Sequence, residues 1–284
     1  MSERIHEPAR IESQSMQIIE NELRARGITP PLDEGVVLRR VIHTTADFDY
    51  AQNLVFVNDP VPAAVAALRR AADAAFSQQT PGVAAPRDLT RVAALRRAAD
   101  VSLVQQTPGV AAPRGRSGIA APRDTADATA LCDAATIVTD TTMAKAGISK
   151  PACSCLGVEV RCHVGDADVA QAAREAHETR AVMAMRKALA ECESPIVAVG
   201  NAPTALFELC DRMREGVRPT LVVAVPVGFV NVVEAKEETL RCCEELKVPA
   251  IVARGRKGGS TVATAIINAL LYEATNMRDP RTRA

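Results

Sequence analysis

From Thr136 onward, short runs of β-branched residues alternate with amphipathic stretches, and this rhythm limits the possible folds more than any other feature of the chain. The runs are TIV at 136–138, VEV at 158–160, PIVAV at 195–199, TLVVAV at 220–225 and AIV at 250–252. Helical patterns lie near 167–190, 203–214, 231–246 and 260–275. Strand, helix, strand at this spacing makes right-handed crossovers between parallel neighbours, with helices covering the sheet. The expected class is α/β: a mostly parallel sheet flanked by helices on both faces, in a Rossmann-like three-layer arrangement. Ahead of it, Ile11 to Arg26 reads as a helix ended by Gly27, and Asp33 as the cap of a second helix running to about His43.

A repeat separates the two parts. VAALRRAAD occurs at Val65–Asp73 and again at Val92–Asp100, 27 residues on, and QQTPGVAAPR at Gln78–Arg87 and Gln105–Arg114 keeps the same offset. A degraded third copy, IAAPRDTAD, occupies Ile119–Asp127. Each unit has one short helical phrase and a Pro/Gly-rich connector, with almost no Leu, Ile or Phe to bury against a neighbour, which argues against a solenoid. Residues 74–127 are therefore expected to be a tandem-duplicated Ala/Arg/Pro-rich surface excursion within a single domain spanning 1–284. Removing it joins Asp73 to Ala128 as a smooth helix-to-strand passage, and long surface insertions cost little entropy. An Arg-rich arm that contacts a partner is the functional alternative.

Charge and composition exclude several classes. The 34 Lys and Arg balance 34 Asp and Glu, and five Phe, two Tyr and no Trp leave little to stack bases on, so no nucleic acid is expected as a partner. The apolar stretch Leu221 to Val230 is broken by Pro226 and Gly228 and falls short of the roughly 20 residues of a membrane helix. MSERIHEPAR is too charged for a signal peptide. Among eight cysteines, Cys153 and Cys155 are two apart, Cys242 and Cys243 are adjacent, and no pair has zinc-knuckle spacing. They read as reduced thiols of a cytoplasmic protein without a metal site.

Open parallel sheets bind ligands outside the carboxyl ends of their strands. The segments just after the strands are TDTTM (Thr139–Met143), GNAPT (Gly200–Thr204), PVGFVN (Pro226–Asn231) and ARGRKGGST (Ala253–Thr261). Each leads to a helix N-terminus, where free N–H groups favour an anion. The last adds Arg254, Arg256 and Lys257 to a Gly258–Gly259 pair, yet has neither the P-loop order nor a G-x-G-x-x-G after a first strand. A polyanion carrying carboxylates fits these loops; a glycine-capped loop with solvated cations is the plainer reading.

His43 is the candidate for proton chemistry. In RRVIHTTAD, Arg39 and Arg40 fall at i−4 and i−3 on its side of a helix, company suited to a group that donates a proton readily. A half-buried helix-end histidine is the alternative. His6 is terminal, His163 follows a strand, and His177 sits mid-helix between Glu175 and Glu178. No nucleophile elbow is present.

GNAPTALFEL, PVGFVNVVEAKE, RGRKGGSTVATAIINAL and RRVIHTTADFD together closely resemble the precorrin-8X (cobalt-precorrin-8) methylmutases of cobalamin biosynthesis, over about Ile11–Leu68 and Thr136–Ala274. The resemblance implies an isomerase that moves a methyl group from ring carbon eleven to twelve of a corrin precursor, without an external cofactor. It implies His43 as the group that protonates or hydrogen-bonds the ring, and a homodimer with its pocket near the interface. Contacts to the substrate's acetate and propionate carboxylates or to the ring map by motif to Ser15, Arg40, Asn201, Thr204, Arg254, Lys257 and Ser260. Arg180 is added from Thr179-Arg180. Two positions depart from the family pattern: Ala235 stands where Ser is usual, and Lys150 near a usual Arg, where bidentate carboxylate binding is lost. Two other readings stay open: a nucleotide- or phosphometabolite-dependent α/β enzyme, and a non-catalytic corrinoid-binding protein.

Overall fold

The computed structural model describes residues 6–79 and 135–277, so most of the repeat lies outside it. Helices α1 (Pro8–Ala25), α2 (Leu32–Thr45) and the single turn α3 (Tyr50–Asn53) lead into strand β1 (Leu54–Val57) and helix α4 (Pro60–Gln79). After the repeat come β2 (Thr136–Thr139), α5 (Thr142–Gly147), α6 (Lys150–Leu156), β3 (Glu159–Arg161), α7 (Ala167–Ala176) and α8 (Arg180–Glu191). The rest is β4 (Ile196–Val199), α9 (Pro203–Arg214), β5 (Leu221–Ala224), α10 (Val232–Leu246), β6 (Ala250–Ala253) and α11 (Ser260–Thr275).

The six strands lie in the order β1-β6-β5-β4-β2-β3. All pairs are parallel except β1 with β6, which run antiparallel with Leu54 opposite Ala253. Every residue of β4, β5 and β6 is buried because both faces of the sheet are covered. Alternation divides them: Ile196, Ala198, Leu221, Val223, Ile251 and Ala253 pack with α1, α2, α4, α6 and α11. Val197, Val199, Val222, Ala224, Ala250 and Val252 pack on the other face with α8, α9 and α10. The three-layer α/β expectation is met.

Four local expectations need correction. Strand β1 went unread: four residues carry too little periodicity to announce a strand, and as an edge it has one partner, β6. The pattern at 167–190 is two helices. His177 adopts the left-handed conformation (φ +53°) and ends α7, and the hydroxyl of Thr179 accepts from Val182 N to start α8. Arg180 is consequently the first residue of a helix rather than a mid-helix residue. Asp33 does not cap α2, because Pro31 occupies the cap; the carboxylate sits in the first turn, where it complements the helix dipole. Helix α1 starts at Pro8, ahead of Ile11, with proline at its first position.

Strand order reverses around β2: the chain moves outward to β3 and then returns to the opposite side with β4. The crevice beyond the carboxyl ends of β2 and β4 is thus the place where a doubly wound sheet receives a ligand.

Candidate active site

Asp140, the residue after β2, is buried and closes the floor of this crevice. Its Oδ1 accepts from Gly200 N at 2.9 Å and its Oδ2 from Asn201 N and Ala202 N, both at 2.8 Å. Burial pushes the carboxyl above its ordinary value, opposed by these three amide donors. One carboxylate therefore fixes the whole turn from β4 into α9. Gly200 also abuts the start of α11, since a Cβ there would lie 2.8 Å from Ser260 Cα. Ser260 Oγ in turn bonds Thr141 Oγ1 at 2.8 Å, joining the β2 and β6 loops.

The loops after β5 and β6 are packed as tightly. A Cβ on Gly258 would fall 2.1 Å from Val225 O, and Gly259 N donates to the same oxygen at 2.8 Å. Beneath this turn lies Lys236 of α10, fully buried, whose ammonium donates to Gly255 O at 2.9 Å and Lys257 O at 2.8 Å. Burial lowers its pKa to about 8.

Lys257 joins this edge to the histidine helix. Its Nζ donates to Asp47 Oδ2 at 2.7 Å and Asp49 Oδ2 at 2.5 Å, in the turn that follows α2. Its hydrogen bond holds the Asp47 carboxyl below the usual range, and the two aspartates raise Lys257. Alongside, a cleft of about 320 Å³ opens between α2, α5 and α11, with Arg40, Thr44, Met143, Thr261, Thr264 and Tyr272 among its walls. His43 lies on the last turn of α2 between wall residues Arg40 and Thr44 in sequence; it is exposed and its ring makes no hydrogen bond among the described residues.

The expected site residues fall into groups. Arg40 lines the cleft, pairs with Glu12 at 2.7 Å and has its guanidinium 5.4 Å from the Tyr272 ring centre. Glu12 takes up charge that the sequence alone assigned to the surroundings of His43. Ser15, one turn beyond Glu12, donates to Ile11 O of its own helix. Asn201 is exposed above Asp140, and Thr204 Oγ1 meets Thr179 Oγ1 at 3.0 Å, which brings the start of α8 to the β4 loop. Arg180 is exposed there and forms no ion pair among the described residues. Arg254 is engaged in both arms of a fork with Glu237, at 2.8 and 2.6 Å. Of the expected site residues Arg40 alone is a wall residue of the cleft; His43, Ser15, Asn201, Thr204, Arg180, Arg254, Lys257 and Ser260 are not, and Thr261, next to Ser260, connects cleft and sheet edge. Ala235 is fully buried, so a hydroxyl there faces the core, and Lys150 is exposed at the first position of α6.

Sequence reasoning missed Asp140, Lys236 and the aspartate pair. A signal existed for Lys236: with Val232, Ala235, Thr239 and Leu240 it falls on the buried stripe of α10, where a lysine is out of place. Asp140 had only its position after a strand to announce it. Among the described residues no group of three or more His, Cys, Asp or Glu is arranged to hold a metal ion, and no helix is long and apolar enough to cross a membrane.

Known proteins resemble this chain along most of its length. The sequence profile of precorrin-8X methylmutase matches residues 10–76 and 123–273. The chain is 33% identical to cobalt-precorrin-8 methylmutase of Salmonella typhimurium over 94% of this chain and 96% of that protein. It is 31% identical to the Priestia megaterium protein of the same name, over 93% and 87%. The crystal structure of the Thermus thermophilus precorrin-8X methylmutase superposes with a TM-score of 0.64 at 29% identity, covering 94% of this chain and 98% of that one.

Proposed function

The chain belongs to the precorrin-8X methylmutase family, and from that premise we propose that His43 assists migration of a methyl group from ring carbon eleven to ring carbon twelve of precorrin-8X or its cobalt form. The reaction is an isomerisation. The carbon–methyl bond at carbon eleven breaks as the bond at carbon twelve forms, and no atom is gained or lost. The imidazole donates a hydrogen bond or proton to the ring, favouring the rearranged conjugated product. Ser15, Arg40, Asn201, Thr204, Arg180, Arg254, Lys257 and Ser260 are read as the surroundings of the substrate's carboxylate arms. For Arg254 this requires exchange of Glu237 for a substrate carboxylate. No external cofactor takes part.

One observation carries this reading. The Lys257 bridge to Asp47 and Asp49 fastens the turn after His43 to the cationic edge of the sheet, beside the Arg40–Thr44 cleft. The exposed apolar side chains Leu32, Met143, Phe229 and Val230 support a homodimer, which shields them from water. The free cysteines support a cytoplasmic location. Residues 74–127 are read as a surface excursion within a single domain 1–284; residues 77–122 fall between the two segments matched by the family.

A visible-spectrum titration with hydrogenobyrinate and its cobalt counterpart tests the assignment. Tight binding by the parent and a large loss in His43→Ala are expected. Identical spectra and affinities for the two proteins would remove His43 from the mechanism.

A further inference from the structure

Lys236 carries an amino group with no exposed surface, and its hydrogen-bonding partners among the described residues are two main-chain carbonyls. Burying an ammonium without a counter-charge is costly, and an apolar side chain of similar length would fill the space without that cost. The peptide groups it holds indicate what the charge is for. In a planar trans peptide the N–H points opposite to the C=O. The Gly255–Arg256 and Lys257–Gly258 peptides turn their oxygens onto Lys236, so the amides of Arg256 and Gly258 point away from it. Neither amide has a hydrogen-bond partner among the described residues. Their neighbours are used: Gly259 N donates to Val225 O at 2.8 Å, and Arg256 O accepts from Gly228 N at 3.4 Å. Gly255 has φ +75°, a left-handed turn that a glycine adopts without strain and that lets both carbonyls reach the same ammonium.

We propose that Lys236 is a positioning residue for substrate binding: by holding the carbonyls of Gly255 and Lys257 inward, it keeps the amides of Arg256 and Gly258 turned outward as donors to the substrate's carboxylate arms. The buried ammonium also sets positive charge behind them. The proposal rests on the corrinoid reading above, whose substrate carries several such arms.

The test uses the full chain with Lys236→Met and Lys236→Gln. Amide hydrogen exchange is followed over residues 254–260, and kcat, KM and product affinity are measured with precorrin-8X and its cobalt form. In Lys236→Met, exchange at 254–260 is expected to rise while β4 and β5 keep their protection. KM and product Kd are expected to rise roughly tenfold or more with a much smaller change in kcat, the pattern of lost binding rather than lost chemistry. Lys236→Gln, which keeps an N–H donor on a polar side chain, is expected to fold and recover part of that affinity. Unchanged KM and Kd in a folded Met variant overturn the assignment, as does a Gln variant no better than Met. If Met does not fold, Gln alone decides: KM and Kd equal to the parent's overturn the assignment, and a rise of severalfold supports it. A parent chain inert towards both corrins defeats the functional reading instead, while exchange at 254–260 still reports on the loop.

Discussion

Lys257 Nζ lies 2.7 Å from Asp47 Oδ2, joining residues 210 apart in sequence and closing the turn after the histidine helix against the last loop of the sheet. The bridge is solvent-reached, so its contribution is to place His43 rather than to stabilise the fold. Asp47→Asn and Lys257→Gln are expected to melt near the parent's temperature at neutral pH yet lose about tenfold or more in kcat/KM, because small misplacements of a reacting group are expensive. Parent-like turnover in both would separate this bridge from the chemistry.

Glu208 is buried, with Arg186 at 2.8 Å and Arg212 at 2.7 Å. Burial alone would raise its pKa, but the two guanidinium groups outweigh burial and hold it below the ordinary value. A carboxylate lowered on folding adds stability above its unfolded pKa, near 4.3, and that stability is lost as pH falls through the folded value. Glu208→Gln should cost about 1–3 kcal/mol at pH 7, less than a fully buried pair because water reaches both arginines. The deficit should shrink below about pH 4, measurable by urea unfolding at a series of pH values.

Asp140→Ala leaves three amides at the β4–α9 turn without their acceptor. Each unsatisfied buried donor costs on the order of 1–3 kcal/mol, reduced where water enters. A clear drop in melting temperature is expected, together with weaker corrinoid binding through displacement of Asn201. A variant that melts with the parent would show that the turn holds its shape without the clamp.

Gly258→Ala places a methyl group where Val225 O already stands, 2.1 Å away. Main chain must move, and overpacking of this kind costs about 1–3 kcal/mol. Because the strain falls on the loop carrying Lys257, affinity should fall more than stability, as product titration beside thermal melting would reveal.

Excision of residues 74–127 joins Asp73 to Ala128. The helix α4 continues past Asp73 to Gln79, so the splice removes its last turn and a half along with the repeat. The shortened chain is expected to fold and to retain its corrinoid affinity. Because the splice also deletes Phe76, which is buried in the core, collapse into aggregates would show that the joined segment does not refill that place.

Much of this protein follows from local patterning. The strands at Ile196, Leu221 and Ala250 and the helices after them are legible because a strand covered on both faces must be apolar along its whole length, while each covering helix repeats its apolar residues every three or four positions. The loops rich in Gly, Asn and Thr mark the ligand-binding edge by the same logic, and His43 stands out through its neighbours in the chain. Contacts between distant segments left no such periodic trace. Nothing near Asp140 announces that it grips Gly200, nothing near Arg254 that Glu237 occupies it, and nothing near Glu12 that it neutralises Arg40. Those pairings arise only when the sheet brings its strand ends side by side, because the strength of an ionic or hydrogen-bonded contact depends on separation in space and on how much water the packing excludes.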